Sequence, residues 1–168
     1  MNKILIIVPA YNEAKTIKSV IDQININIPE ADILVINDCS NDETENILKE
    51  GNINHINLML NLGIGGAMQT GYIYALKNNY DIAVQIDGDG QHDSYNIKEI
   101  LKPIEENTAD MVIGSRYVEK TGYKTPIIRK IGMVYFKNLI NLITNKKIND
   151  TTSGYRAINK NVIKEGRH

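Results

Sequence analysis

The chain has 168 residues, enough to bury a substantial hydrophobic core as one domain without disulfides. Its 19 Lys and Arg residues balance 20 Asp and Glu residues, so charge gives no argument for binding nucleic acid or a strongly anionic membrane. The single cysteine, Cys39, excludes an internal disulfide and is expected to be a partly buried, structural thiol. Pro9 breaks the first apolar run well before the about 20 residues that a membrane span needs. We therefore expect a cytoplasmic protein with at most peripheral contact at the inner face of the membrane.

Strand and helix patterns alternate along most of the chain. Short apolar runs predict strands over residues 3–8, 32–36, 54–60, 81–86 and 110–114. Apolar residues at helical spacing predict helices between these strands. A further helix is predicted over residues 131–142, after an exposed loop over residues 117–126. The alternation predicts an α/β fold, with a mainly parallel sheet and helices on both faces.

Local signals predict where several of these elements end. Pro9 is expected to end the first strand, and Pro103 is expected to kink or split the helix in which it lies. Asp42 and Glu45 come close to a capping box for the second helix. The glycines of the NLGIGGA stretch predict close packing of a helix on a strand; they are Gly63, Gly65 and Gly66. A phosphate loop is the alternative, although GIGGA matches neither the P-loop nor the dinucleotide-binding fingerprint.

The stretch VQIDGDGQHD, residues 84–93, follows a buried strand pattern and then breaks into carboxylates, glycines and amides. In an α/β sheet, ligands bind at the carboxyl ends of strands, which is where this stretch lies. In an extended chain Asp87, Asp89 and Gln91 share one side, so their oxygens can hold one hard cation such as Mg²⁺ or Mn²⁺. An acidic, glycine-rich turn without a ligand is the alternative. An EF-hand loop is excluded because it needs a closing Glu within a helix–loop–helix frame.

Motifs spread over essentially the whole chain carry a resemblance to a known family. They are VPAYNE (8–13), NDCSNDET (37–44), NLGIGGAMQTGYIYA (61–75), QIDGDGQHD (85–93), IGSRY (113–117) and SGYR (153–156). In this order they resemble family 2 glycosyltransferases of the GT-A (nucleotide-diphospho-sugar transferase) fold, especially the dolichol- and polyprenol-phosphate sugar transferase branch. The resemblance implies inverting, metal-dependent transfer of a sugar from a nucleotide-sugar donor to a polyprenyl-phosphate or glycan acceptor.

The resemblance also implies roles for individual residues on the donor side. Asp38 is similar in position to the family residue that hydrogen-bonds the nucleoside, although Asn37-Asp38-Cys39-Ser40 departs from the usual Asp-Asp-Gly-Ser. A second departure is Ser94, where proline usually follows the metal motif. The cation between protein and diphosphate would be held by Asp87, Asp89 and Gln91. The wall of the base and ribose pocket would be formed by Pro9, Tyr11 and Glu13; turning and packing at a strand end is the alternative for the first two.

The acceptor side depends on cationic groups if the acceptor is a polyprenyl phosphate, whose oxygen is already anionic and needs no protein base. Arg116 and Arg156 lie in family motifs and are the first candidates, with Arg129 a weaker one, because guanidinium matches phosphate geometry. Surface ion pairing is the alternative for each of them. A sugar-hydroxyl acceptor would instead need a carboxylate base, for which Asp93 and Asp150 are available.

Two other functional classes share this kind of fold. A sugar-phosphate nucleotidyltransferase usually carries a glycine-rich loop with arginine and lysine after the first strand, where this chain has VPAYNE. A non-catalytic nucleotide-sugar-binding protein is disfavoured by the intact pair Asp87 and Asp89. We expect residues 1–168 to form a single GT-A-like domain in which the acceptor half is incomplete at the C-terminus.

Overall fold

The computed structural model describes residues 2–88, 97–114 and 154–165. The strands are β1 (Ile4–Ala10), β2 (Asp32–Asn37), β3 (His55–Asn57), β4 (Ile82–Gln85), β5 (Met111–Ile113) and β6 (Arg156–Asn159). The helices are α1 (Ile17–Asn27), α2 (Thr44–Glu50), α3 (Gly63–Lys77), α4 (Ile97–Glu105) and α5 (Lys160–Glu165). The loop and helix predicted over residues 117–126 and 131–142 lie outside the described residues. Among the described helices, none combines the length and apolar character needed to cross a bilayer.

The strands of the described part of the chain form one six-stranded sheet in the order β3-β2-β1-β4-β6-β5. The first four of these strands are parallel, as expected where helices connect successive strands. β6 runs antiparallel to both β4 and β5, although it comes last in the chain. The predicted mainly parallel α/β sheet is therefore confirmed, with one antiparallel strand inserted near its edge.

The central strand β1 is buried on both faces. Ile4, Ile6 and Val8 belong to the core that includes the apolar faces of α1, α2 and α4. Leu5 and Ile7 belong to the opposite core, formed with α3 and α5. Burial on both sides explains the continuous aliphatic run in the sequence, and the predicted helices on both faces are confirmed.

The prediction that Pro9 ends the first strand is wrong. β1 continues to Ala10 and pairs with β2 as far as that residue. The Ile7 carbonyl accepts the N–H of Ile86, just past β4, and the Ala10 carbonyl accepts the N–H of Asp38, just past β2. Backbone groups of successive residues in a strand point to alternate sides, so the Pro9 nitrogen faces the β4 side. The pairing of β1 with β4 has already ended at Ile7. Proline has no N–H to donate toward β4, so the pairing with β4 stops at Ile7, whereas the pairing with β2 does not use the Pro9 nitrogen and continues to Ala10.

Two helix predictions also need correction. α4 continues through Pro103, so the expected split does not occur, whereas the expected kink stays a prediction. The capping box at the start of α2 does not form: the Asp42 carboxylate accepts a bond from the backbone N–H of Thr44 at 3.0 Å, only two residues away. Glu45 is drawn instead to Lys49 one turn later, with a separation of 2.5 Å.

The predicted packing role of Gly63, Gly65 and Gly66 is wrong as well. A Cβ at Gly63 or Gly65 would meet nothing within 4 Å, and Gly66 approaches only the residue that precedes its own helix. The glycine at which α3 approaches the sheet is Gly71, where a Cβ would lie 2.5 Å from Cγ2 of Ile7. The close approach is thus further into the helix than predicted, by roughly one and a half to two turns.

Candidate functional site

The candidate site lies where β1, β2 and β4 end at the same edge of the sheet. Tyr11 follows β1, Asp38 follows β2 and Asp87 follows β4, and the carboxyl ends of parallel strands are the usual binding edge of such sheets. β6 runs the opposite way, so its first residue, Arg156, lies at this edge too and pairs with Gln85 of β4. The predicted site residues Asp89, Gln91 and Arg116 lie outside the described part of the chain.

Direct hydrogen bonds tie the loop after β1 to the loop after β2. The backbone N–H of Asn12 donates to Ser40 Oγ at 2.9 Å, and the N–H of Asn41 donates to Asn12 Oδ1 at 2.9 Å. Asn12 has φ of 58° and Cys39 has φ of 60°, both in the left-handed region. Asparagine tolerates this conformation better than cysteine does. Cys39 is exposed, so the prediction of a partly buried thiol is wrong, because it lies in an outer turn.

Thr44 is the centre of a second link between the same loops. Its side chain is fully buried, its hydroxyl accepts the N–H of Glu13 at 2.9 Å, and the hydroxyl also lies 2.5 Å from Asp42 Oδ1. Asp42 Oδ2 accepts the N–H of Ala14 at 3.2 Å. Burial raises the pKa of Asp42, but the hydrogen bonds from Thr44 and Ala14 together outweigh it and hold that pKa below its ordinary value.

Asp38 is only 4% exposed, and its Oδ1 accepts the N–H of Leu62 at 2.7 Å. The carboxylate therefore fixes the start of α3 relative to the end of β2. Asn37, where the family usually has a first aspartate, is buried as well. Its amide donates to Asn57 Oδ1 at 2.8 Å and accepts the N–H of Ser40 at 3.2 Å. In this chain the amide at that position is occupied by internal bonds.

The three residues predicted for the base and ribose pocket line the end of β1. Pro9 and Glu13 are half-buried, and Tyr11 is 47% exposed. Thr16 Oγ1 lies 2.9 Å from Glu13 Oε2 and 2.9 Å from the carbonyl oxygen of Gly88. The loop after β1 is thereby connected to the end of β4 as well as to the loop after β2.

Asp87 is the one predicted metal ligand within the described residues, and it lies just past the end of β4, with its carboxylate beside Gly154. Gln85 Nε2 is 3.4 Å from Asp87 Oδ1. Burial raises the pKa of the Tyr72 hydroxyl, and the positive charge of the Arg156 guanidinium opposes this shift. Because Tyr72 belongs to α3, the Arg156 side chain lies on the face of the sheet that α3 covers. No three His, Cys, Asp or Glu side chains come together within residues 2–88, 97–114 and 154–165. The half-buried carboxylate at a strand end suits a hard cation as one member of an oxygen ligand set.

Sequence reasoning missed the residues that hold these loops, chiefly Asn12, Ser40 and Thr44. The density of short polar side chains after the first two strands was the available signal, because such side chains bond to nearby backbone groups. That signal does not predict which side chains bond to each other when they are far apart in sequence, such as Asn12 and Ser40, which are separated by 28 residues.

Comparison with known proteins decides the family. A model of the family described as "Glycosyl transferase family 2" matches residues 5–167. The chain belongs to this glycosyltransferase family. It is 33% identical to the UDP-N-acetylglucosamine–dolichyl-phosphate N-acetylglucosaminyltransferase of Methanococcus voltae, over 96% of this chain and 71% of the relative. It is 30% identical to the undecaprenyl-phosphate mannosyltransferase of Micrococcus luteus, over 96% and 68% respectively. The predicted family and its polyprenol-phosphate branch are confirmed.

Solved structures agree with the fold of this family 2 glycosyltransferase. The glucosyl-3-phosphoglycerate synthase of Mycobacterium tuberculosis, in complex with Mn²⁺, UDP and glucosyl-3-phosphoglycerate, superimposes with a TM-score of 0.75 at 19% identity. The match covers 96% of this chain but 58% of the synthase. At this identity the likeness concerns the fold, and the predicted GT-A fold is confirmed.

Proposed function

We propose that residues 1–168 are one glycosyltransferase domain that moves a sugar, with inversion, from a nucleotide-sugar donor to a polyprenyl phosphate. The observation that carries the proposal is the convergence of Asp38, Asp87 and Arg156 on one edge of the sheet. The names of two relatives, which specify dolichyl-phosphate and undecaprenyl-phosphate, support the lipid-phosphate acceptor over a glycan.

Asp38 is proposed to bind the nucleoside of the donor. One of its oxygens accepts the N–H of Leu62, and a carboxylate has about four acceptor positions, so it retains capacity for donors on a base or ribose. Tyr11 offers an exposed ring beside it for stacking. Pro9 and Glu13 complete the proposed wall, which the bonds to the loop after β2 keep in one arrangement.

Asp87 is proposed to hold Mg²⁺ or Mn²⁺ together with Asp89 and Gln91. When bound, such a cation would neutralise the negative charge that develops on the departing diphosphate. The protein's part would be to fix the Asp87 carboxylate beside the end of β4, where it would hold the cation that neutralises the diphosphate. The superimposed synthase complex contains both Mn²⁺ and UDP, which supports the choice of a divalent cation.

Arg156 is proposed to bind the acceptor phosphate, together with Arg116. A guanidinium can pair two N–H groups with two phosphate oxygens, which orients the attacking oxygen as well as attracting it. Because a phosphate monoester is already anionic at neutral pH, attack on the anomeric carbon needs no protein base. Displacement of the diphosphate from the opposite side of the sugar accounts for inversion.

The experiment is a transfer assay with labelled UDP-N-acetylglucosamine, UDP-glucose and a mannosyl donor, with Mn²⁺ and a short polyprenyl phosphate. Phosphoglyceric acid serves as the matched acceptor control, because it offers a phosphate without a lipid chain. We expect lipid-dependent transfer, reduced about 10–100-fold in Arg156→Lys, which loses paired hydrogen bonds to a charged group. The shift in melting temperature caused by UDP should be the same in that variant. A transfer rate that does not depend on the polyprenyl phosphate would contradict the proposal. An unchanged transfer rate in Arg156→Lys would contradict it as well.

A further inference from the structure

We infer that Gly154 and Gln85 are positioning residues for Asp87: Gly154 leaves the space that its carboxylate occupies, and Gln85 orients that carboxylate. The inference rests on the proposed function, in which Asp87 holds a divalent cation. Neither residue is itself a ligand in that proposal. Both act on the cation through the carboxylate that they hold in place.

The register of β4 and β6 brings these residues together. The two strands are antiparallel and pair Gln85 with Arg156. Continued by two residues past the strand ends, the same register sets Asp87 opposite Gly154. Because side chains alternate along an extended chain, Gln85 and Asp87 lie on the same face of the sheet. Residues directly opposite on one face are the ones that contact each other.

Glycine at position 154 is required by the Asp87 side chain. A Cβ there would lie 2.4 Å from Asp87 Oδ2 and 2.5 Å from Oδ1. Among the described glycines, the left-handed conformation that favours this residue type is found at Gly63, and Gly154 does not share it. An alanine would therefore fit the backbone at 154. Its methyl group would need the space that the carboxylate fills.

The start of β6 is anchored, so the carboxylate is the group that would move. Tyr155 is 6% exposed and packs in the core on the α1 side of the sheet. Its carbonyl oxygen accepts the N–H of Gly114 at 2.9 Å. Asp87 is half-buried just past the end of β4, so rotation about its side-chain bonds would relieve the contact by giving up the present position of its carboxylate. Gly154→Ala should thus displace the carboxylate while the fold persists.

Gln85 restrains the same carboxylate from the β4 side. It is 3% exposed, and its Nε2 lies 3.4 Å from Asp87 Oδ1. A side chain this buried has few alternative positions, so its amide is a fixed donor beside a partly exposed acid. Loss of a hydrogen-bond partner of a metal-binding carboxylate typically weakens metal affinity about 10–100-fold.

The test is a titration with Mn²⁺ alone, followed by electron paramagnetic resonance of the free ion, and repeated with UDP present. The variants are Gly154→Ala and Gln85→Met, the latter keeping the side-chain length without the amide. We expect each to weaken Mn²⁺ binding about 10-fold or more, with UDP binding in the absence of metal unchanged. Gly71→Ala is the matched control: its Cβ would lie 2.5 Å from Ile7 Cγ2, and it should lower the melting temperature without changing Mn²⁺ affinity.

Wild-type Mn²⁺ affinity in both site variants would overturn the inference, as would an equal loss in Gly71→Ala. If the wild-type chain itself binds no Mn²⁺, the proposed metal function fails, and crystal structures of the wild-type chain and Gly154→Ala then decide the steric part. An Asp87 carboxylate in the same position in both structures overturns it. A rotated carboxylate in the variant supports it independently of the metal.

Discussion

Replacing Thr44 with valine should release the loop after β1 from the loop after β2. Valine has nearly the same shape, so the fully buried site stays filled. The change removes the acceptor for the N–H of Glu13 and the hydroxyl beside Asp42. Because Glu13 is proposed to line the donor pocket, the same substitution should also weaken nucleotide binding.

The size of the effect follows from these two contacts. The N–H of Glu13 is part-buried, and leaving such a group without its acceptor costs about 1–3 kcal/mol. The bond to Asp42 adds little, because that carboxylate is close to solvent and water replaces the lost hydroxyl. We therefore expect a loss of about 2 kcal/mol in the free energy of unfolding. For a domain of this size, about 2–4 °C per kcal/mol gives a melting temperature lower by roughly 4–8 °C.

The assay is thermal and urea denaturation of Thr44→Val beside Thr70→Val. Thr70 is partly buried, whereas Thr44 is fully buried, and the Thr70 hydroxyl donates to the carbonyl oxygen of Gly66 within α3 at 2.9 Å. That carbonyl is a helical acceptor in any case, so the control loses a redundant bond. Equal melting temperatures for the two variants would refute the reasoning. So would a Thr44→Val protein that binds UDP as tightly as the wild type.

The other two predictions concern the same pair of loops. Cys39→Gly should raise the free energy of unfolding by up to about 1 kcal/mol, because glycine accepts φ of 60° without strain. Cys39→Ala is the control, because alanine keeps the strain. Calorimetry that shows no difference between the two variants would contradict this prediction. Asp42 has a folded pKa below its ordinary 3.8, so its contribution to stability is present above the unfolded pKa and is lost as pH falls through the folded pKa. Urea unfolding measured at a series of acidic pH values should therefore show a shallower loss for Asp42→Asn than for the wild type, and parallel curves would count against it.

Much of the fold follows from local patterns in the sequence. Short, continuous aliphatic runs such as residues 3–8 favour strands covered on both faces, and helical spacing from Ile17 onward predicts α1. Alternation of the two patterns leads to a parallel sheet, and a parallel sheet has one binding edge. Asp38 and Asp87 could therefore be assigned to the same edge from the sequence alone, because each lies within two residues of the end of a strand.

The tertiary structure decided what depends on contacts between distant segments. Pro9 stays within β1 because its nitrogen faces the side where no partner strand continues. β6 inserts antiparallel between β4 and β5 although many residues separate it from both. The meeting of Gly154 with Asp87 is a consequence of that register. Sequence patterns report the local backbone and the face of each side chain, whereas strand order, register and the partners of polar groups arise only when the whole sheet packs together.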